Sequence, residues 1–170
     1  MNQGSVPVFP DAENAHRLNT ALLRNFLDRP DCMLWHARVT PTGDTFRWDF
    51  EVPSSGLQRR IYGERGTLRY SNVTHGGGHS LFGEHTIPEI NEKHARGEAA
   101  LRSGASGYQN EFRLITPTQT YCLQEQVTIH AKADGVFELV GVIFDLTERR
   151  AVEDERRQSA TQIRQLLERA

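Results

Sequence analysis

The most regular hydrophobic pattern in the chain is the segment DGVFELVGVIFDLTERR, from Asp134 to Arg150. An Asp-Gly turn leads into a nearly unbroken apolar run, which changes at Asp145 into charged sequence with helical spacing. As a strand, the run places Val136, Val140, Val142 and Phe144 on one face and Phe137, Leu139 and Ile143 on the other. Both faces are therefore expected to be buried, as in a central strand, and the strand is expected to pass directly into an exiting helix.

The rest of the pattern supplies its neighbours. Residues 1–10 are polar and proline-interrupted and read as a loose terminus. Over residues 11–29, Ala15, Leu18, Leu22 and Phe26 recur at helical steps, which predicts an amphipathic helix ending before Pro30. Such a helix could cover a sheet face, meet its own copy in a second chain, or simply cap its own domain. Cys32 to Thr40 and Thr45 to Val52 read as two strands around the Pro41-Thr42-Gly43-Asp44 turn. Trp35, Ala37 and Val39 are the expected inner set of the first; Phe46, Trp48, Phe50 and Val52 share one face of the second.

From Pro53 to Pro88 the sequence is irregular and glycine-rich, with a short helical possibility over Leu57 to Tyr62. Helical spacing returns from Ile87 to Ser103, with Thr86 as the expected cap and Gly104 as the stop. Its inward stripe is expected to be Ile87, Ile90, His94 and Leu101, helped by Ala95 and Ala99. Three more strands follow, in which Tyr108, Asn110, Phe112 and Leu114 share one face and Tyr121, Leu123, Val127 and Ile129 share another. Strand, strand, helices and a three-strand meander predict an α+β fold: a five-stranded antiparallel sheet with helices on one face. From Thr147 a charged helix carries a weak seam of Val152, Arg156, Ser159, Ile163, Leu166 and Ala170. That seam suits a short parallel coiled coil or a solvated single helix, and the absence of a terminator suggests a chain that continues.

Composition narrows the function. A length of 170 residues with 37% hydrophobic content supports one core with short flanks. The net charge of -2 offers no basic field for nucleic acid, and no apolar run approaches the roughly 18 residues that span a bilayer. A cytoplasmic segment without nucleic-acid or membrane contact is therefore expected. Cys32 and Cys122 have neither a disulfide framework nor metal-ligand spacing and read as buried thiols. His75 and His79 flank three glycines, with His85 beyond; these are weak metal candidates, because no carboxylate or thiolate completes a ligand set. His36, Asp49, Glu51 and His130 are the nominal acid/base residues, but strand parity turns Asp49 and Glu51 away from the aromatic face, so catalysis by this segment is not expected.

The segments GYQNEFRLI and YCLQEQVTIHAKADGVFELVGVIFDLTERR resemble the C-terminal half of a PAS domain with its PAC motif. In that family an E-x-R strand, here Glu111-Phe112-Arg113, precedes a long strand, a D-G turn and a strand ending G-V-x-x-D-[IL]-T-E-[RK]. Gly141, Val142, Asp145, Leu146, Thr147, Glu148 and Arg149 match that ending. The resemblance covers residues 30–150 and departs from the family in its longer, glycine-rich region before Pro88. It implies a PAS-type sheet, flanked by the N-terminal helix and by a C-terminal signalling helix over residues 151–170. It also implies a sensor module of a two-component type, a homodimer, covalently linked to an output domain such as a histidine kinase.

Carried onto this chain, the family's Asp and Thr make Asp145 and Thr147 the signal junction that holds the exit helix; a plain helix cap is the alternative. Trp35, Phe46, Trp48, Phe50, Ile90, His94 and Phe112 are the residues that would line a pocket for a small-molecule ligand, and plain core is the competing reading. PAS domains bind haem, flavins, small carboxylates or nothing. No NCRFLQ-type segment is present, so cysteinyl-flavin photochemistry is not expected. Haem-binding members commonly present a histidine from the helix before the meander, and His94 is the residue so placed. A pure dimerisation module without ligand is the other reading.

Overall fold

The computed structural model describes residues 12–73, 83 and 85–168. In chain order the elements are α1 (Ala12–Leu27), β1 (Cys32–Thr42), β2 (Thr45–Val52), α2 (Gly56–Tyr62), β3 (Leu68–Val73) and α3 (Ile90–Ser103), then β4 (Gly107–Ile115), β5 (Thr120–Ala131), β6 (Phe137–Asp145) and α4 (Thr147–Glu168). The strands form one antiparallel sheet in the order β3-β2-β1-β6-β5-β4. The α+β class is as expected, but the sheet has six strands rather than five. The extra strand, LRYSNV, is a short edge strand that β2 organises by pairing from Arg47↔Val73 to Val52↔Leu68. Its inner face offers only Leu68 and Tyr70 as hydrophobic markers, too little to register as a strand beside Gly63 and Gly66.

Period-two alternation correctly sorts the inner face. Trp35, Ala37, Val39, Phe46, Trp48 and Val52 are buried on the first strands, and Phe112, Leu114, Tyr121, Leu123, Val127 and Ile129 on the meander. Leu57 and Tyr62 from α2 and Leu101 from α3 join the same core. Burying these side chains is the main stabilisation of the fold, roughly 1.5–3 kcal/mol for each large one.

Two expectations are corrected. β6 is central, between β1 and β5, yet only its Leu139, Gly141 and Ile143 face is closed. On the other face Val140 is 36% exposed, and Val142 and Phe144 are half-buried. On this outer side the end of α1 packs down, where Phe26 meets Phe144 edge-on with centroids 6.5 Å apart. Leu22 and Leu23 remain exposed further up that helix, and the Ala15 and Leu18 side chains lie outside the described residues.

The second correction concerns α3, which starts at Ile90 with Glu89 at the cap position, not at Ile87. Thr86 is instead engaged in a bridge to Ile115, with backbone hydrogen bonds of 3.2 and 2.8 Å. Lys93, Gly97 and Ala100 join Ile90, His94 and Leu101 toward the sheet, whereas Ala95 and Ala99 are exposed. Gly104 ends the helix in the left-handed region, φ 70°, as anticipated. α4 leaves the sheet with Val152, Ile163, Leu166 and Leu167 all exposed; Ala170 lies outside the described residues. Among the described residues no helix is long and apolar enough to cross a membrane.

Candidate functional site

On β5 the inner face reads Tyr121, Leu123, Glu125, Val127, Ile129, so a carboxylate occupies a core position. Glu125 is 0% exposed. A buried charge must be both paired and hydrogen-bonded, and donors from three elements converge on it. The Trp35 indole Nε1 donates to Oε1 at 3.0 Å, and the Asn110 amide, directly opposite on β4, donates to Oε2 at 2.9 Å. The Lys93 ammonium of α3 lies 2.8 Å from Oε2 and 5.2 Å from the centroid of the Phe112 ring. Trp35 belongs to β1, so its indole crosses β6 to reach β5, and it does so over Gly141. Any Cβ at that position would stand 2.0 Å from the indole. This gives the motif glycine a steric reason: a side chain at residue 141 would separate Trp35 from Glu125.

Close helix approach completes the cluster. A Cβ on Gly97 would lie 3.1 Å from the Tyr108 hydroxyl, so a residue without a side chain lets α3 settle against β4. Burial, then the negative charge of Glu125, holds the Tyr108 phenol well above its ordinary pKa. Burial and the Lys93 charge hold His94 below its ordinary value, against an opposing pull from Glu125 and Glu98.

A second constellation lies where β6 becomes α4. Asp145 Oδ1 accepts the Thr147 backbone N–H at 2.9 Å and also the Thr147 hydroxyl. Thr147 Oγ1 in turn accepts the Cys122 backbone N–H at 2.9 Å, and Leu146 N–H donates to the Cys122 carbonyl at 2.8 Å. On the opposite side the Asp145 backbone N–H donates to the Asp31 carbonyl at 2.8 Å. Arg60 of α2 adds a cation, donating to Asp145 Oδ2 at 3.1 Å and to the Pro30 carbonyl at 2.9 Å. The Asp145 side chain is only 8% exposed, but the Arg60 side chain is 44% exposed, so solvent partly screens this pair. The junction is therefore hydrogen-bonded to the ends of both neighbouring strands and to α2. One turn on, Arg150 of α4 donates to Glu111 of β4 at 2.6 Å, an exposed contact of small energetic weight.

The remaining sequence-derived residues divide by location. Trp35 meets Phe50 edge-on with centroids 5.4 Å apart, and Phe50 stacks on Trp48 at 5.5 Å. Phe46 meets Phe137 edge-on at 6.3 Å, under the Arg102 guanidinium. Ile90 and His94 are half-buried on the inner side of α3, and Phe112 is buried beneath Lys93. A haem on His94 would have to lie between α3 and the sheet, where the Lys93–Glu125 pair, Asn110 and these aromatic rings are packed; the residues present do not fit that group. His75 and His79 lie outside the described residues, and among the described residues no three His, Cys, Asp or Glu side chains cluster as a metal site. His36, Asp49 and Glu51 line an open groove of about 340 Å³ on the outer sheet face. There His36 pairs with Glu138 at 2.5 Å and Arg69 with Glu51 at 3.2 Å.

No protein-family model matches the chain, and no curated protein does. Among solved structures, a sensory box histidine kinase/response regulator from Burkholderia thailandensis E264 is similar at 18% identity and a TM-score of 0.55, covering 88% of this chain and 98% of that one. The chain has a PAS-like fold. An RNA-binding light-oxygen-voltage receptor also aligns, at 16% identity and a TM-score of 0.43, over 76% of this chain and 35% of that chain. Within the PAS-like fold, Glu125, Lys93 and Arg60 were not singled out by sequence reasoning. Glu125 had a legible signal, being the acidic residue at an inward position between Leu123 and Val127.

Proposed function

We propose that this chain is a PAS sensory or regulatory module that relays a change in its interior or its packing through β6 and α4 to an output domain of the histidine-kinase type. The observation that carries the reading is the clasp at the strand-to-helix junction. Asp145 and Thr147 tie the first turn of α4 to β5 through Cys122, to the residue just before β1 through Asp31, and to α2 through Arg60. A shift of β6 against either neighbour would strain these bonds and reorient α4, and couplings of about 1–3 kcal/mol suffice for such switching. The protein of similar structure described as a sensory box histidine kinase/response regulator supports the choice of output class. On this reading the chain itself performs no reaction.

A homodimer is part of the proposal. Leu22, Leu23 and Val140 are exposed on α1 and the outer sheet face, and Val152, Ile163, Leu166 and Leu167 are exposed on α4. These are the surfaces that a second copy would cover. The test is output activity of the intact protein carrying Asp145→Ala and Thr147→Val, with the domain's own fold checked by circular dichroism. Altered output from a folded domain is expected; wild-type output would remove the relay. The close aromatic packing of Trp35, Phe50 and Trp48 favours a second reading, a dimerisation PAS without ligand, in which output responds to dimer packing alone.

A further inference from the structure

We propose that the Glu125 cage is a recognition site for a primary ammonium group, and that Lys93 of the chain itself holds the place of that ligand. The proposal deepens the sensory reading by naming a ligand class; it rests on that reading for the signal, not for the binding.

The cage has a fixed half and a removable half. Glu125 and Asn110 are register partners in the middle of adjacent strands, and Trp35 is seated over Gly141, so the sheet fixes the positions from which these groups act. Lys93 stands on α3, with its side chain 13% exposed, and it can withdraw with the helix. Trp35 and Asn110 are neutral donors: they satisfy lone pairs of the carboxylate but leave its charge uncompensated. Once Lys93 withdraws, the carboxylate has lost its counter-charge, which an ammonium ligand would restore. An incoming ammonium would find a carboxylate oxygen and the face of Phe112, the two features that Nζ now uses at 2.8 and 5.2 Å. An anionic ligand would meet Glu125 itself. A buried ion pair is also a poor device for stability alone, because a well-packed apolar pair usually does as well or better. Lys93 thus acts as an intramolecular competitor, and ligand entry would free α3 from the sheet.

The test is calorimetric titration of the whole chain with n-butylammonium chloride, using sodium butyrate and tetramethylammonium chloride as controls for charge sign and shape. Wild type, Lys93→Ala and Lys93→Ala/Glu125→Gln are compared. Lys93→Ala should bind n-butylammonium saturably and about 10- to 1,000-fold more tightly than wild type, the range set by a competent state populated at about 0.1–10%. The double variant should lose that binding, and neither control should replace n-butylammonium. In wild type, amide hydrogen exchange over residues 90–103 should rise as n-butylammonium is added. Absence of saturable binding to Lys93→Ala, or undiminished binding to the double variant, would overturn the site. Should Lys93→Ala not fold, the wild-type exchange titration decides, and unchanged exchange over residues 90–103 overturns it. None of these readouts passes through α4, so failure of the relay and failure of the site are told apart.

Discussion

Gly141→Ala tests the packing that joins Trp35 to Glu125. β1 and β5 are separated by β6, and adjacent strands lie about 4.8 Å apart, so the indole spans a whole strand to reach the carboxylate. An alanine methyl would meet the indole at 2.0 Å from Cε2, 2.3 Å from Nε1 and 2.4 Å from Cζ2. These atoms cannot swing aside freely, since Trp35 is 1% exposed and its Nε1 is bonded to Glu125. Overpacking of this kind costs about 1–3 kcal/mol. If the ring moves enough to relieve it, a buried carboxylate loses a donor, at a further cost of about 1–3 kcal/mol. The expected loss is about 2–6 kcal/mol when both costs apply, against a typical domain stability of about 5–15 kcal/mol. Urea unfolding followed by tryptophan fluorescence measures it. Trp35→Phe provides the second arm: it also removes the hydrogen bond, but its smaller ring leaves room for the methyl. The double variant should then cost at least about 1 kcal/mol less than the sum of the single changes. A loss below about 0.5 kcal/mol for Gly141→Ala, or strict additivity with Trp35→Phe, refutes the seating of the indole on Gly141.

Thr147→Val keeps the shape of the side chain but removes the acceptor for the Cys122 amide and the donor to Asp145. A destabilisation of about 1–2 kcal/mol is expected, with faster hydrogen exchange at Cys122 and in the first turn of α4; unchanged protection there would contradict the clasp. His94 is held below its ordinary pKa of 6.5, so the unfolded chain takes up a proton at higher pH than the folded one. Its contribution to stability is complete above pH 6.5 and is lost as the pH falls below that value toward the folded pKa. His94→Gln should flatten the stability curve in that window by up to about 1.4 kcal/mol per pH unit, and an identical slope in both proteins would exclude His94 as the titrating group.

The inner face was readable because alternation is a local property, visible in residues such as Phe46, Trp48 and Val52 without knowledge of their partners. What local pattern could not supply was register. Gly141 was legible as a motif letter, but its reason lies in Trp35, which the pairing of β1 with β6 brings to it. The half-open outer face of β6 was misread for a related cause: Val140 and Phe144 are as apolar as buried residues, and only the placement of α1 determines what covers them. β3 was missed because an edge strand is stabilised by its neighbour more than by its own side chains. Glu125 could have been found by carrying the alternation through one more position. Lys93 could not, because its partner stands across the layer on a different element.

The arrangement of β1 and β6 has a consequence for how the unit can sit in a longer chain. Cys32 near the start of β1 pairs with Phe144 near the end of β6, so α1 arrives and α4 departs at one pole of the sheet. The folded core hangs from that pole like a bead on a short clip. A unit whose entry and exit are adjacent can be inserted into a helical stalk, or excised from it, with little change in the stalk's path. The clip itself is the stretch where Asp31, Asp145 and Thr147 are bonded together. On the proposed relay, torsion arriving along one helix would cross to the other through those few bonds, and the core would act as a brake or release on that crossing.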